Sequence, residues 1–287
     1  MRAALSTSCS LLEALHRLVP GASNRTLRQM LTLGRVSVNG RCCKLPKQPV
    51  KAGDEIAIGG ASASATTLHG LQIIYEDEDL LVAEKPAGLL TVATEHERER
   101  TAFAYLSDDL RKRTPGQRLF IVHRLDKFVS GVLTFAKSEA AKEKLQALFR
   151  RHDIERRYWA IVEGQLARQR GTVRSFLAED RSRRMHSTPG APTGKLAVTH
   201  WRVLRKSANW TALEVTLETG RKNQIRAHMS EMGHPIVGDK AYGSAVDPFR
   251  RIALHAFRLG FVHPTRDKFL VFETEAPPEF RKYLPRD

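Results

Sequence analysis

The feature of this chain most able to do chemistry is an aspartate two residues after an arginine, in the string IVHRLDKFVSGVLTFAK over residues 121–137. Asp126 ends one apolar stretch and stands shortly before another. A carboxylate so placed loses solvation and stays ionised only with a cation nearby. Two readings fit that spacing. Asp126 and Arg124 form a structural ion pair at a strand end, or Asp126 is an active-site carboxylate of the kind that serves as nucleophile or base. Other chemistries have less support. His228, His234, His255 and His263 lack any metal-ligand spacing. Glycine-rich phosphate loops of the GxGxxG or GxxxxGK[ST] kind are absent, so neither a metal nor a nucleotide cofactor is expected. Adjacent Cys42 and Cys43 read as incidental rather than redox-active.

The elements that position these residues follow from periodicity and punctuation. Residues 8–58 form a small module. A helix runs through LLEALHRL with Ser8 or Ser10 as its cap. Ser23 caps a second helix that has Leu27, Met30 and Leu31 on one face and Gly34 past its end. Arg25, Arg28 and Arg35 lie off that apolar stripe. Val36 and Val38 alternate in a strand turned by Asn39-Gly40, and Asp54 to Ile58 closes the unit. Residues 59–70, GGASASATTLHG, are nearly all small and read as a flexible linker. From residue 71 to 287 the pattern is mixed. Strands are expected around an acidic turn at Glu76–Asp79, at 132–136, 158–164, 198–204 and 211–219, and in FLVFET. Helices are expected at 101–112, 139–150 and 224–232. Neighbouring strands with few βαβ alternations favour an α+β fold over a doubly wound one.

Composition limits the function. The 287 residues carry 47 Lys and Arg against 31 Asp and Glu, a formal net charge of +16. A soluble chain so basic has a polyanion as its default partner. No run approaches the length of a membrane span, and Glu13, His16 and Arg17 break the N-terminal apolar run that a secretory signal would need. Three cysteines fit a reducing cytoplasm. The first 58 residues hold nine Lys and Arg against three Asp and Glu. Residues 166–184 hold six arginines, Arg181, Arg183 and Arg184 among them, against two acids.

The string HRLDKxxSG resembles the signature of the RluA family of pseudouridine synthases. Three further stretches agree with that family in order: IIYEDEDLLVAEKPAGLLTV (73–92), IERRYWAIVEG (154–164), and ETGRKNQIRAHMSEMGHPIVGDKAYG (218–243) followed by RIALHAFRLGFVHP (251–264). The N-terminal module is similar to an S4 RNA-binding domain through its GRVxVNG, basic and GD spacing. The resemblance implies a catalytic domain on a mixed, mainly antiparallel sheet over residues 71–287, preceded by a small α/β S4-like domain over 1–58. It implies that Asp126 is the catalytic aspartate, that Tyr158 stacks on the target base and helps remove the C5 proton, and that Arg226 pairs with the aspartate. Leu254 would line the uracil pocket, and Arg124, with His123 beside it, would contact RNA near an extruded nucleotide. Residue types alone leave Tyr158 equally readable as a half-buried strand tyrosine. Arg226, at the border of the face defined by Ile225, Met229 and Met232, is equally readable as a solvated helix arginine. One departure stands out: Phe128-Val129 occupies places where the family commonly has an acidic residue and a threonine.

The isomerisation so implied breaks the N1–C1′ bond of uridine, turns the base and rejoins it through C5, with no redox change and no cofactor. A stacked base must be extruded to reach such a pocket. The six-arginine stretch then reads as an RNA-gripping loop or strand pair, against the alternative of a solvated surface, and Arg25, Arg28 and Arg35 as phosphate contacts of the S4-like module. Large-subunit ribosomal RNA is the expected substrate, with transfer RNA as the alternative. A monomer is expected. A non-catalytic RNA-binding or ribosome-assembly factor is the competing function.

Overall fold

The computed structural model describes residues 2–5, 7–20, 22–32, 36–39, 41–43, 45–58, 67–188 and 194–285. The chain divides into two compact units, Met1–Ala83 and Glu84–Asp287.

The first unit contains β1 (Arg2–Ala4), β2 (Cys9–Ser10), α1 (Leu11–Leu18), α2 (Asn24–Thr32), β3 (Val36–Val38), β4 (Arg41–Cys42), β5 (Pro49–Val50) and β6 (Glu55–Ile58). Ser10 starts α1 with a reciprocal cap: its hydroxyl accepts from the Glu13 amide, and the Glu13 carboxylate accepts from the Ser10 amide. Ser23 accepts from the Thr26 amide in the same way ahead of α2. Leu11, Ala14, Leu15, Leu27 and Leu31 from the two helices pack with Val36, Val50 and Ile56 into one core. The sheet runs β1-β6-β3-β4. Its first strand is absent from the periodicity reading because three residues are too few to show alternation.

Asn39 takes a left-handed φ of 49° after β3, and its side chain bonds Asp54 and the Glu55 amide, tying the turn to β6. Residues 59–66 of the expected linker, along with Gly34, Arg35 and Gly40, lie outside the described residues, as do the side chains of Arg25 and Cys42. The rest of that linker is corrected. Thr67–Leu68 form β7, which pairs with β8 (Leu71–Glu76) across His69-Gly70, both at positive φ, the two-residue geometry that strand twist favours. Asp77 shapes the acidic turn by accepting from the Asp79 and Leu80 amides, after which β9 (Leu80–Lys85) carries the chain onward.

The second unit contains α3 (Ala102–Arg113), β10 (Phe120–Ile121), β11 (Ser130–Ala136), α4 (Glu139–Arg151), β12 (Glu155–Glu163), β13 (Arg170–Glu179), β14 (Met185–Thr188), β15 (Lys195–Lys206), β16 (Trp210–Leu217), α5 (Gln224–Glu231), β17 (Leu254–Val262) and β18 (Phe269–Glu273). Its strands stand in the order β14-β13-β15-β16-β12-β17-β11, with β10 against β11 and β18 against β17. All of these pairings are antiparallel except β11 with β17. The fold is therefore the mixed, mainly antiparallel α+β sheet. The arginine-rich stretch, residues 166–184, supplies β13 and the turn Asp180–Arg184 that leads into its antiparallel partner β14.

The parallel contact is what the Ser-Gly of the signature permits. Gly131 lies at φ 119°, and a Cβ there would meet the Ala256 carbonyl oxygen at 2.1 Å. Any side chain would push β11 off β17. Among the described residues no helix is long and apolar enough to cross a membrane.

Candidate active site

Asp126 begins a tight turn between β10 and β11, in which the Val129 amide donates to the Asp126 carbonyl at 3.1 Å. Backbone clamps hold this turn from both sides. Thr91 Oγ1 donates to the Leu125 carbonyl (2.7 Å) and accepts from the Leu125 amide (3.1 Å). The Lys127 carbonyl accepts from the Gly88 amide (2.8 Å) and from Lys85 Nζ (3.2 Å). Lys85 is fully buried, and its Nζ also donates to the carbonyls of Pro86 (2.9 Å) and Leu89 (2.7 Å). Burial pulls its pKa down to about 7, against the supporting charge of Asp126. The clamp fixes the backbone on each side of Asp126 while leaving the carboxylate itself unencumbered.

The carboxylate receives one cation. Arg226 Nη1, on α5, donates to Asp126 Oδ2 at 3.3 Å. The rest of the guanidinium is occupied: Nε and Nη2 grip Asp239 at 2.6 and 2.8 Å, and Nη1 also donates to Asn223 Oδ1 at 2.9 Å. The ring of Tyr242 lies 4.7 Å from the guanidinium carbon. Burial works against the charge of Arg226, but the hydrogen bonds and charge of Asp239, then the charge of Asp126, raise its pKa overall. Asn223, at a left-handed φ of 50° ahead of α5, makes no capping bond to the helix and bonds Arg226 instead. Among the described residues no ion pair joins Arg124 to Asp126, so the structural pairing of those two is not what the chain builds.

Tyr158 and Leu254 reach the same place from adjacent strands, β12 and β17. Opposite Tyr158 the register shifts, with Arg157 facing Arg258 and Trp159 facing His255, so β17 carries an extra residue there. Such bulges re-aim side chains beside functional sites. Tyr158, Leu254, Asp126, Arg226, Arg124, Val129, Leu217, Arg221 and Ile225 line one narrow pocket of ≈ 70 Å³. A second, wider cleft of ≈ 350 Å³ shares Arg124, Asp126 and Arg226 and adds Leu90, Val92, Lys127, Phe128 and Lys222. Burial raises the Tyr158 pKa, Arg156 opposes this and the Asp126 charge adds to it, so the phenol stays protonated at neutral pH. Arg156 is itself buried and donates to the Glu218 carbonyl at 2.9 Å. Gly220 makes room for it, since a Cβ there would meet its guanidinium at 2.3 Å.

The remaining expected residues divide. His123 stands outside both linings: it is half-buried, its ring stacks on Phe149 at 4.8 Å, and it accepts from the Thr134 amide at 3.0 Å. Burial and Arg156 push it down to about 3, leaving a neutral packing residue outside the pocket lining. Arg181, Arg183 and Arg184 are exposed at the β13–β14 turn and away from both cavity linings, but Lys222 of the cleft reaches that hairpin through Glu179 and the Arg183 carbonyl. Arg28 is exposed on α2, the side chain of Arg25 is outside the described residues, and so is all of Arg35. Asp239 and Lys85 were not singled out from the sequence, although both lie within the quoted motifs, in GDKAYG and VAEKP.

Comparison with known proteins places the chain in a family. Residues 79–231 match the model of an RNA pseudouridylate synthase family, and residues 11–56 match the S4 domain. The chain is 34% identical over 279 residues to an uncharacterised RNA pseudouridine synthase of Synechocystis, covering 93% of this chain and 85% of that one. It is 34% identical to ribosomal large subunit pseudouridine synthase D of Zymomonas mobilis, covering 93% and 90%. Human RNA pseudouridylate synthase domain containing 4 shares the fold, with a TM-score of 0.62 at 23% identity over 73% of this chain and 90% of that one. The chain belongs to the RNA pseudouridylate synthase family and carries an S4 domain at its N-terminus.

Proposed function

We propose that the protein converts uridines of large-subunit ribosomal RNA to pseudouridine, with Asp126 as the catalytic carboxylate and Tyr158, Arg226 and Leu254 completing the uracil pocket. The observation that carries this reading is convergence: residues 126, 158, 226 and 254, from four separate elements, line one small pocket.

The chemistry follows from what each side chain can offer. Opening the N1–C1′ bond needs an ionised carboxylate beside the sugar or ring, whether it attacks C1′, attacks the ring or removes the C2′ proton. Arg226 gives the carboxylate a cationic partner and offers a positive field to the detached uracil anion. Once the base has turned and C5 is bonded to C1′, the C5 proton must leave. Tyr158, a phenol in its resting state, relays that proton by accepting it while passing on its own, and its ring gives the base a stacking face. Apolar Leu254 and Val129 keep water from the glycosyl centre. Arg124 holds the strand around the extruded nucleotide, and the S4 domain, with its net +6 over residues 1–58, adds phosphate contacts. The names borne by the Zymomonas relative and its Escherichia coli counterpart support ribosomal RNA as the target.

The test is tritium release from RNA transcripts carrying 5-³H-uridine, one set from large-subunit ribosomal RNA and one from transfer RNA. Wild type should release label from the first set and Asp126→Asn from neither. Release from transfer RNA alone would move the target, and release by Asp126→Asn would remove the aspartate from its role.

A further inference from the structure

Phe128, in the signature string, has no part in the proposed function. Phe128 is 46% exposed, large and aromatic, in a turn whose neighbour Val129 is 2% exposed. It occupies the corner of the Asp126–Val129 turn, two residues from the reactive carboxylate. That corner does not yield easily, because the Lys127 carbonyl beside it is bound by both Lys85 and Gly88. Phe128 lines the wider cleft next to Asp126 together with Leu90, Val92 and Lys222. The Lys127 ammonium stands 5.3 Å from the centre of its ring. A single exposed hydrophobic residue is ordinary on a protein surface. An exposed ring held on a rigid corner, with the Lys127 ammonium beside it and sharing a cleft with Lys222, Asp126 and Arg226, is a site with a definite chemistry. It offers a flat apolar face for a π-system and cations for the phosphates on either side.

We infer that Phe128 is a substrate-binding residue that stacks on an RNA base neighbouring the extruded uridine. This rests on the proposed function, since it presumes that the uridine enters the Asp126 pocket. Extruding one nucleotide unstacks its neighbours, and an aromatic face at the pocket mouth replaces part of what they lose. Because every base has a π-face, the contact tolerates sequence and acts on binding more than on the chemical step. Lys127 and Lys222 would hold backbone phosphates beside the stacked base.

The experiment compares wild type with Phe128→Ala, Phe128→Leu and Phe128→Trp in the full chain, after thermal melting shows the variants to be folded. Affinity for a fluorescein-labelled oligouridylate is measured across a salt series, and tritium release is measured on large-subunit ribosomal RNA transcripts. Alanine and leucine should each weaken binding and raise KM by roughly 5- to 100-fold, the range for losing one base–aromatic stack, with little change in kcat. Tryptophan should recover most of the loss. The slope of log affinity against log salt should stay at its wild-type value in all three, because no phosphate contact is removed, whereas Lys222→Ala should shallow it. Wild-type values in the alanine and leucine variants would overturn the inference, and so would an equal loss in the tryptophan variant. The binding arm keeps the two claims separable. Weaker oligouridylate binding by Phe128→Ala from a wild type that releases no label would sink the proposed function and leave the stacking residue standing.

Discussion

Replacing Asp239 by asparagine separates holding Arg226 from reacting with substrate. Asp239 is 1% exposed and bonds Arg226 twice, at 2.6 and 2.8 Å, whereas Asp126 receives one bond from the same guanidinium at 3.3 Å. Asparagine keeps the shape and one acceptor but removes the charge from a partner whose side chain is only 12% exposed. Breaking a buried pair on one side costs about 3–5 kcal/mol, and the retained acceptor places this change near the lower figure, roughly 3 kcal/mol. In a unit of this size that is a fall of about 6–12 °C in melting temperature. The effect on turnover has a different origin. With Asp239 uncharged, Asp126 becomes the only full counter-charge among the described residues in contact with Arg226, and the guanidinium shifts toward it. A displacement of about 1 Å at a reacting group costs on the order of 100-fold in rate.

Single-turnover tritium release at a temperature where the variant is folded, with melting followed in parallel, gives both numbers. The expected pattern is a lower kcat with RNA affinity near wild type. The double variant Asp239→Asn/Arg226→Met should regain part of the lost melting temperature, because no unpaired guanidinium stays buried, and should remain inactive. Arg226→Lys should rescue neither property, since an ammonium cannot span two carboxylates as the planar fork does. Turnover by Asp239→Asn within threefold of wild type would refute the positioning argument.

Three further outcomes are expected. Gly131→Ala should prevent stable folding of the second unit, seen as loss of soluble protein or of a cooperative melt, because its Cβ would sit 2.1 Å from the Ala256 carbonyl oxygen. His123 and His255 are both pushed down to about 3 by burial and a neighbouring arginine, so each binds its proton more readily in the unfolded chain. Stability is therefore lost as pH falls below about 6.5, by on the order of 1–2 kcal/mol per histidine between pH 6.5 and 5. His123→Gln, which keeps an acceptor for the Thr134 amide, should remove one such share in urea titrations at the two pH values. Deleting residues 1–58 should weaken RNA binding and flatten its dependence on salt, with residual activity on short substrates; an unchanged slope would mean that this charge does not meet RNA.

What was legible in the sequence shares one property: its signal is local. The string around Asp126, the tyrosine in ERRYWAIVEG and the arginine in QIRAHM each stand in short runs whose residue types are individually informative. The main helices and several sheet strands follow from periods of 3.6 and 2, but β17, the strand that carries Leu254, is not among the strands that alternation predicts. The parts that escaped depend on contacts far along the chain. Lys85 acts through carbonyls as distant as Lys127, and nothing in VAEKP states that its ammonium is buried. Asp239 is visible in GDKAYG only as one more acid in a charged chain. The place of His123 was not legible either, because adjacency to HRLD says nothing about which way the ring turns, and it turns into Phe149 and the Thr134 amide. β7 hid inside a small-residue segment because a two-residue strand and a His-Gly turn carry no apolar run.

The two carboxylates at Arg226 explain why the site needs more than the residues its motif names. A buried arginine must be neutralised, yet a catalytic carboxylate that did this alone would be held by short paired bonds and would have little freedom to react. Here the tasks are divided. Asp239, buried and doubly bonded, satisfies the guanidinium, and Asn223 takes part of the remaining arm. Asp126, 32% exposed at its side chain, keeps one longer bond and faces the pocket. Its position is set through the backbone instead, by Thr91 on one side and by Lys85 and Gly88 on the other. Fixing the main chain and leaving the side chain lightly held gives a carboxylate in a defined place with its oxygens still available. On the proposed function, Asp126 would depend on that second acid and on that clamp.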